Sequence, residues 1–212
     1  MAKALVLVLC ALLAYMLGSI DFGVVVSRGL YHEDIRKKGS GNAGTTNILR
    51  TYGKKAATLT LAGDLGKGVV AVLLADVLFG LVQPGGGMYG GYVAAFAAVC
   101  GHLWPLWFGF KGGKGVAVAA GAILATQPPV LLALAVVFFA LAFSTRIVSL
   151  SSIVVAVLYP VFTALWSLHC GYNVWFTTGC AAVMAALVIW MHRANIKRLL
   201  NGTEYKFGEK KK

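Results

Sequence analysis

Acidic residues are scarce in this sequence: seven Asp and Glu stand against 19 Lys and Arg in 212 residues. Charge of either sign amounts to only 12% of the chain while hydrophobic residues make up 59%, which excludes a soluble domain. Cysteine is scarce as well. Cys10, Cys100, Cys170 and Cys180 lie in or beside apolar runs with no CxxC or other ligand-like spacing, so they read as small packing residues. No disulfide framework, metal site, cofactor or nucleic-acid partner is implied. There is no low-complexity tract and no obvious internal repeat, and residues 1–212 read as a single membrane domain ending in a basic tail, 201–212.

What is present is apolar length. Stretches near 4–27, 56–82, 88–108, 115–126, 129–143, 147–168 and 174–192 lie between polar breaks, most of them long enough for a hydrocarbon core of about 30 Å. The first run continues through Val24, Val25 and Val26 without a small-residue cleavage site, so a retained span is expected rather than a signal peptide. Gln127-Pro128-Pro129 separates the fourth and fifth segments, because proline removes a donor and disfavours helix before it. One long span is the alternative there.

Charge decides between them. Seven cations (Arg28, Arg36, Lys37, Lys38, Arg50, Lys54, Lys55) lie between the first two segments and seven more in the tail, with Lys111, Lys114 and Arg146 in the links between. With seven segments, 17 of the 19 cations fall on one side; with six, the tail would oppose the first loop. The fold class expected is therefore an all-α polytopic membrane protein of seven transmembrane helical segments, some short, with the N-terminus outside and the C-terminus cytoplasmic.

The cytoplasmic links carry the chemistry. In the first, glycines 39, 41 and 44 alternate with hydroxyl and amide residues and Arg50 follows, an arrangement that aims backbone N–H groups at a phosphate. Ser40, Thr45 or Thr46 could cap a short helix beside it. A flexible basic loop lying on anionic lipid is the simpler reading. In the second link, Lys111-Gly112-Gly113-Lys114-Gly115 opens the short fourth helix; Lys114, enclosed by glycines, is assigned to an anion and Lys111 to lipid headgroups. The spacing GxxxxGK[ST] is not met, so the case for an ATPase loop is weak. Asp64 and Lys67, three apart in the second span, face one another and can pair. His102 fits an interfacial or a site residue equally, and Asp21 and Asp76 lack an evident partner. Ser149, Ser151 and Ser152 follow Arg146, and His192 and Asn195 share a helix face.

In combination these blocks resemble the PlsY family of bacterial glycerol-3-phosphate acyltransferases. The family pattern SGN-x-G-x-TN-x-x-R appears as Ser40 to Arg50, D-x-x-KG as Asp64 to Gly68, and GH-x-x-P…F-x-GGKGVA as Gly101 to Ala117. VS-x-x-S appears as Val148 to Ser152 and HR-x-NI-x-RL as His192 to Leu199, with departures only at variable positions such as Ala43, Thr45 and Ala194. The resemblance implies a bundle in a bacterial inner membrane, a cytoplasm-facing site, and acyl phosphate and glycerol 3-phosphate as substrates. Ser40, Asn42, Thr46, Asn47, Arg50 and Lys114 would then bind the acyl-phosphate headgroup. Ser152, His192 and Asn195, with Lys67, would orient glycerol 3-phosphate. Lys114, Arg50 and His192 are the catalytic candidates.

No residue is a compelling nucleophile. The His-x4-Asp pair of another acyltransferase class is missing, because Lys37, Trp107, Val174 and Lys197 stand five residues after the four histidines. Direct transfer is expected. A transporter or channel for an anionic phosphorylated metabolite is the alternative from another class, but the paired broken helices and repeated halves typical of transporters are not visible. The charge distribution yields a topology test. Cysteines placed at Lys38 and Lys210 should resist an impermeant thiol reagent in intact cells while one at Gly86 reacts, and outside labelling at Lys38 would reverse the orientation.

Overall fold

The computed structural model describes residues 1–208, so Lys210, Lys211 and Lys212 of the basic tail lie outside the described residues. Among the described residues regular structure is entirely helical, as a chain in hydrocarbon must be if its backbone polar groups are to be satisfied locally. The helices are α1 (Ala2–Gly18), α2 (Phe22–Tyr31), α3 (Thr45–Tyr52), α4 (Lys54–Val82), α5 (Gly87–Leu103), α6 (Val116–Thr126), α7 (Pro128–Thr145), α8 (Val148–Cys170), α9 (Val174–Met191) and α10 (Arg193–Leu200). Six segments are long and apolar enough to cross a membrane, the first being α1 and α2 together; α6, with 11 residues, is a shorter apolar helix spanning only ~17 Å. Large apolar side chains such as Leu5, Val77, Leu132, Phe143 and Leu165 point outward, as a lipid-facing surface requires.

Several boundaries differ from those expected. The first span is two helices, broken at Ser19-Ile20-Asp21, because the Asp21 carboxylate accepts from the Gly23 and Val24 N–H groups and so starts α2 afresh. Pro128 and Pro129 occupy the first turn of α7, where the missing N–H groups cost nothing, and α6 and α7 are accordingly separate. The last span ends at Met191, one residue short of the expected 192, and a further short helix, α10, begins after His192.

The chain forms two compact units, Met1–Thr126 and Gln127–Lys212. In the first, α4 packs against α1, α2, α3, α5 and α6. A Cβ at Gly68 would strike the Val118 carbonyl oxygen and one at Gly121 the Leu65 carbonyl oxygen, so α4 and α6 touch backbone to backbone. In the second, α8 packs against both α7 and α9, and α10 against α9. The long link between α2 and α4 is itself folded. Val24, Val26, Ile35, Ala43, Ile48, Ala56 and Ala57 form a buried cluster, flanked by Tyr31 stacked on Tyr52 at 4.1 Å.

This packing separates two glycines of α4 and α6 that look alike in sequence. Gly121→Leu should lower the thermal midpoint in detergent micelles, at a cost of about 1–3 kcal/mol or more from overpacking. Gly66→Ala, which meets nothing within 4 Å, should leave the midpoint unchanged or raise it.

Candidate functional site

In the first unit the link after α2 turns on Asn47. Its Oδ1 accepts from the Ser40 N–H (2.9 Å), and its Nδ2 donates to the carbonyls of Lys38 (3.0 Å) and Asn42 (2.8 Å), while Asn42 Oδ1 accepts from Gly44 N–H (2.9 Å). Gly39 has φ +59°, and a Cβ there would fall on Asn47 Oδ1, so both backbone angle and space demand glycine. Asn47 is therefore buried as the clasp of the turn, leaving Ser40 exposed and Asn42 and Thr46 half-buried along it. The helix expected beside the loop is present as α3, but its N-cap is Gly44; none of Ser40, Thr45 and Thr46 caps it. Arg50 lies exposed in the last turn of α3.

The second link folds back over the end of α5. Gly112 N–H donates to the Leu103 carbonyl (3.3 Å) and Gly113 N–H to the His102 carbonyl (3.1 Å). A Cβ at Gly113 would collide with the His102 imidazole, and one at Gly112 with the His102 carbonyl oxygen. The segment thus lies flat on His102, with Lys114 half-buried, Lys111 exposed, and α6 starting at Val116.

Beneath His102 is a buried polar knot. Lys67 Nζ donates to the Ile20 carbonyl (2.6 Å), lies 2.9 Å from His102 Nδ1, and ion-pairs with Asp64 Oδ1 at 2.8 Å. The Asp64–Lys67 pair is the one expected from their spacing. An ammonium only donates, so His102 Nδ1 accepts and its proton sits on Nε2, the edge turned to Gly113. Lys67 is 5% exposed, Asp64 1% and His102 2%, so Lys67 reaches the glycine segment only through the histidine.

In the second unit His192 occupies the junction of α9 and α10. Its Nδ1 lies 2.7 Å from the Val188 carbonyl oxygen; a carbonyl only accepts, so the neutral ring carries its proton on Nδ1 and its lone pair on Nε2. Ser152, buried in the first turn of α8, donates to the Val148 carbonyl (2.9 Å). Asn195 Nδ2 donates to Glu204 Oε1 (2.7 Å), Ser149 Oγ to the same oxygen (2.9 Å) and Arg198 Nε to Glu204 Oε2 (2.7 Å). Burial alone would raise the Glu204 carboxyl, but the bonds from Asn195, Arg198 and Ser149 outweigh it and hold the group below its ordinary value.

The structure thus gathers Ser40, Asn42, Thr46, Asn47 and Arg50 on one folded link, sets Lys114 on a second and Lys67 below the latter. Ser152, His192 and Asn195 belong to the other unit. Glu204 was missed by sequence reasoning, which treated 201–212 as peripheral; the one signal was an isolated carboxylate near a run of cations. His102 and Asp21, left open or unassigned, prove to be a loop support and a helix cap.

With this geometry in hand, three comparisons agree. The model of the glycerol-3-phosphate acyltransferase family matches residues 8–202. A glycerol-3-phosphate acyltransferase of Clostridioides difficile is 44% identical over 96% of this chain and 97% of its own length, and one of Agrobacterium fabrum is 45% identical over 96% and 93%. The crystal structure of PlsY, an integral membrane glycerol 3-phosphate acyltransferase, superposes in its glycerol 3-phosphate form with a TM-score of 0.80 at 39% identity, covering 95% of this chain and 96% of that one. Its lysophosphatidic acid form gives 0.78 at 38% identity, covering 95% of each.

Glu204 sets a stability test. Glu204→Gln keeps the shape and removes the charge, and should cost about 1.5–3 kcal/mol of stability in thermal unfolding at neutral pH. Because the native carboxyl is held low, its stabilisation is present above the ordinary glutamate value near ~4.3 and lost as pH falls through the native one, so the gap to wild type should close in acid.

Proposed function

The chain belongs to the glycerol-3-phosphate acyltransferase family, and from that premise we propose that it transfers a fatty acyl group from acyl phosphate to the 1-hydroxyl of glycerol 3-phosphate, releasing lysophosphatidic acid and phosphate. Membership makes it a multi-pass membrane acyltransferase. The donor and the absence of an acyl-enzyme are our reading. The observation that carries it is the Lys111–Gly115 segment, folded flat on His102 with its Gly112 and Gly113 N–H groups tied to the end of α5, which carries the Lys114 ammonium on a defined backbone beside the start of α6, a small surface fit for a phosphate.

Ser40, Asn42, Thr46 and Arg50 contact the acyl-phosphate headgroup together with Lys114, and Asn47 holds their turn. The cations stabilise phosphate as it leaves with the electron pair of the broken acyl C–O bond, while the 1-hydroxyl oxygen forms the new ester bond. Ser152, His192 and Asn195 orient glycerol 3-phosphate, with Lys67 contributing through His102. The hydroxyl proton passes to a substrate phosphate oxygen or to His192 Nε2, the ring nitrogen that the Val188 contact leaves unprotonated in the neutral tautomer. Acyl phosphate is a mixed anhydride and already activated, so positioning can supply a large part of the remaining barrier. The relatives crystallised in glycerol 3-phosphate and lysophosphatidic acid forms support the acceptor and product.

The same reading counts α6 as a seventh crossing, with the N-terminus outside, the C-terminus cytoplasmic and the site facing the cytoplasm of a bacterial inner membrane. The distribution of cations supports it.

Steady-state assays of purified variants test the assignment. Lys114→Ala should lose roughly ten- to hundredfold in activity, from a charge-assisted contact of about 1.5–3 kcal/mol, and Lys111→Ala far less. Acyl-CoA in place of acyl phosphate should give negligible product. Equal losses in the two lysine variants would remove Lys114 from the anion site, and efficient turnover of acyl-CoA would overturn the donor.

A further inference from the structure

Arg36, outside the site residues proposed so far, is used on two sides at once. Its Nε and one terminal nitrogen form a fork on Asp34, at 3.0 Å to Oδ1 and 2.8 Å to Oδ2. The other terminal nitrogen crosses to the second link and donates to the carbonyls of Phe108 (2.6 Å) and Lys111 (3.0 Å). Asp34 is itself fixed: Oδ1 accepts from the Arg36 N–H at 3.0 Å, and Oδ2 from Arg28 at 2.8 Å. The hydrogen bond from Arg36, with help from Arg28, holds the Asp34 carboxyl well below the usual carboxylate range, so the fork persists across ordinary pH.

The two carbonyls that Arg36 holds bracket a strained piece of chain. Gly109 and Phe110 both have left-handed backbone, φ +67° and +58°, and Phe110 is a bulky side chain in a region such residues avoid. A turn of this kind persists only where its surroundings enforce it. Arg36 spans the turn on one side, and the end of α5 holds Gly112 and Gly113 on the other. Lys114 is the next residue.

We propose that Asp34 and Arg36 are positioning residues for the reaction: they staple the Phe108–Lys111 turn and thereby set where Lys114, three residues on, presents itself to phosphate. The inference rests on reading Lys111–Gly115 as the phosphate site. Four of the five guanidinium donors are engaged within the protein, so Arg36 acts through the loop and not on the substrate. Lysine cannot replace it, since a single ammonium cannot hold a carboxylate fork and reach two carbonyls at once.

The test uses the full-length protein in micelles, with acyl phosphate and glycerol 3-phosphate kinetics and limited trypsin digestion after Lys111 read in parallel. Arg36→Lys and Asp34→Asn, conservative enough to keep the fold, should each lower kcat/KM by roughly ten- to hundredfold, the scale of a loop misplaced by about 1 Å. Combining Asp34→Asn with Arg36→Lys should add little to either alone, since both break one clamp. Both variants should also be cut faster after Lys111, whereas Lys114→Ala should be cut there at the wild-type rate. Near-normal kcat/KM in Arg36→Lys would overturn the proposal. So would a loss of activity with unchanged cleavage, which would put Arg36 on the substrate itself. If Lys114→Ala turned over normally, the phosphate-site reading would be what failed; cleavage in the Arg36 and Asp34 variants would then still decide whether the clamp exists.

Discussion

A charge carried into a membrane-spanning bundle must be met by the protein, because no water is there to meet it. Lys67 satisfies that demand with three partners from three places in the chain: Asp64 on its own helix, His102 at the end of α5, and the Ile20 carbonyl exposed by the break in the first span. The consequences run outward from this ammonium. The break in the first span places the Ile20 carbonyl within its reach, Asp21 closes the break by capping α2, and the ammonium sets the His102 tautomer. His102 in turn is the surface on which Gly112 and Gly113 lie.

Above that knot, polar chemistry is confined to links that behave as small folded pieces. The α2–α4 link has its own apolar cluster, so its glycines shape a defined turn around Asn47 rather than loosen the chain. Asp34 and Arg36 then join that link to the next. In the second unit Glu204 does comparable work, drawing Ser149, Asn195 and Arg198 onto one carboxylate. Lone acids in a cationic chain act as organising points: Asp34 and Glu204 each collect two or more donors, and Asp64 pairs with Lys67.

Much of this was legible in the sequence. Apolar length marked the helices, and the Gln127-Pro128-Pro129 break fell where α7 begins, because hydrophobic run length and proline chemistry are local properties. The glycine-rich links stood out for the same reason. The interruption at Asp21 was not, since an aspartate inside an apolar run signals a cap only when the following N–H groups are seen to turn towards it. The short α10 was hidden because His192 ends one helix and precedes another without any helix-breaking residue. Arg36 looked like one of seven loop cations, and Glu204 like part of a tail; the partners that distinguish them lie 72 and 55 residues away in sequence. Long-range hydrogen bonds leave no local pattern.

In the proposed reaction the chemistry rests on positioning of an activated donor, with no residue taking up the acyl group. Phosphate release should therefore depend on the acceptor. Pre-steady-state measurement of inorganic phosphate from acyl phosphate tests this most directly, with purified protein at substrate-comparable concentration. Without glycerol 3-phosphate there should be no burst, and with it phosphate and lysophosphatidic acid should appear together in equal amounts. A stoichiometric burst of phosphate in the absence of acceptor, with the acyl group retained on the protein, would contradict direct transfer.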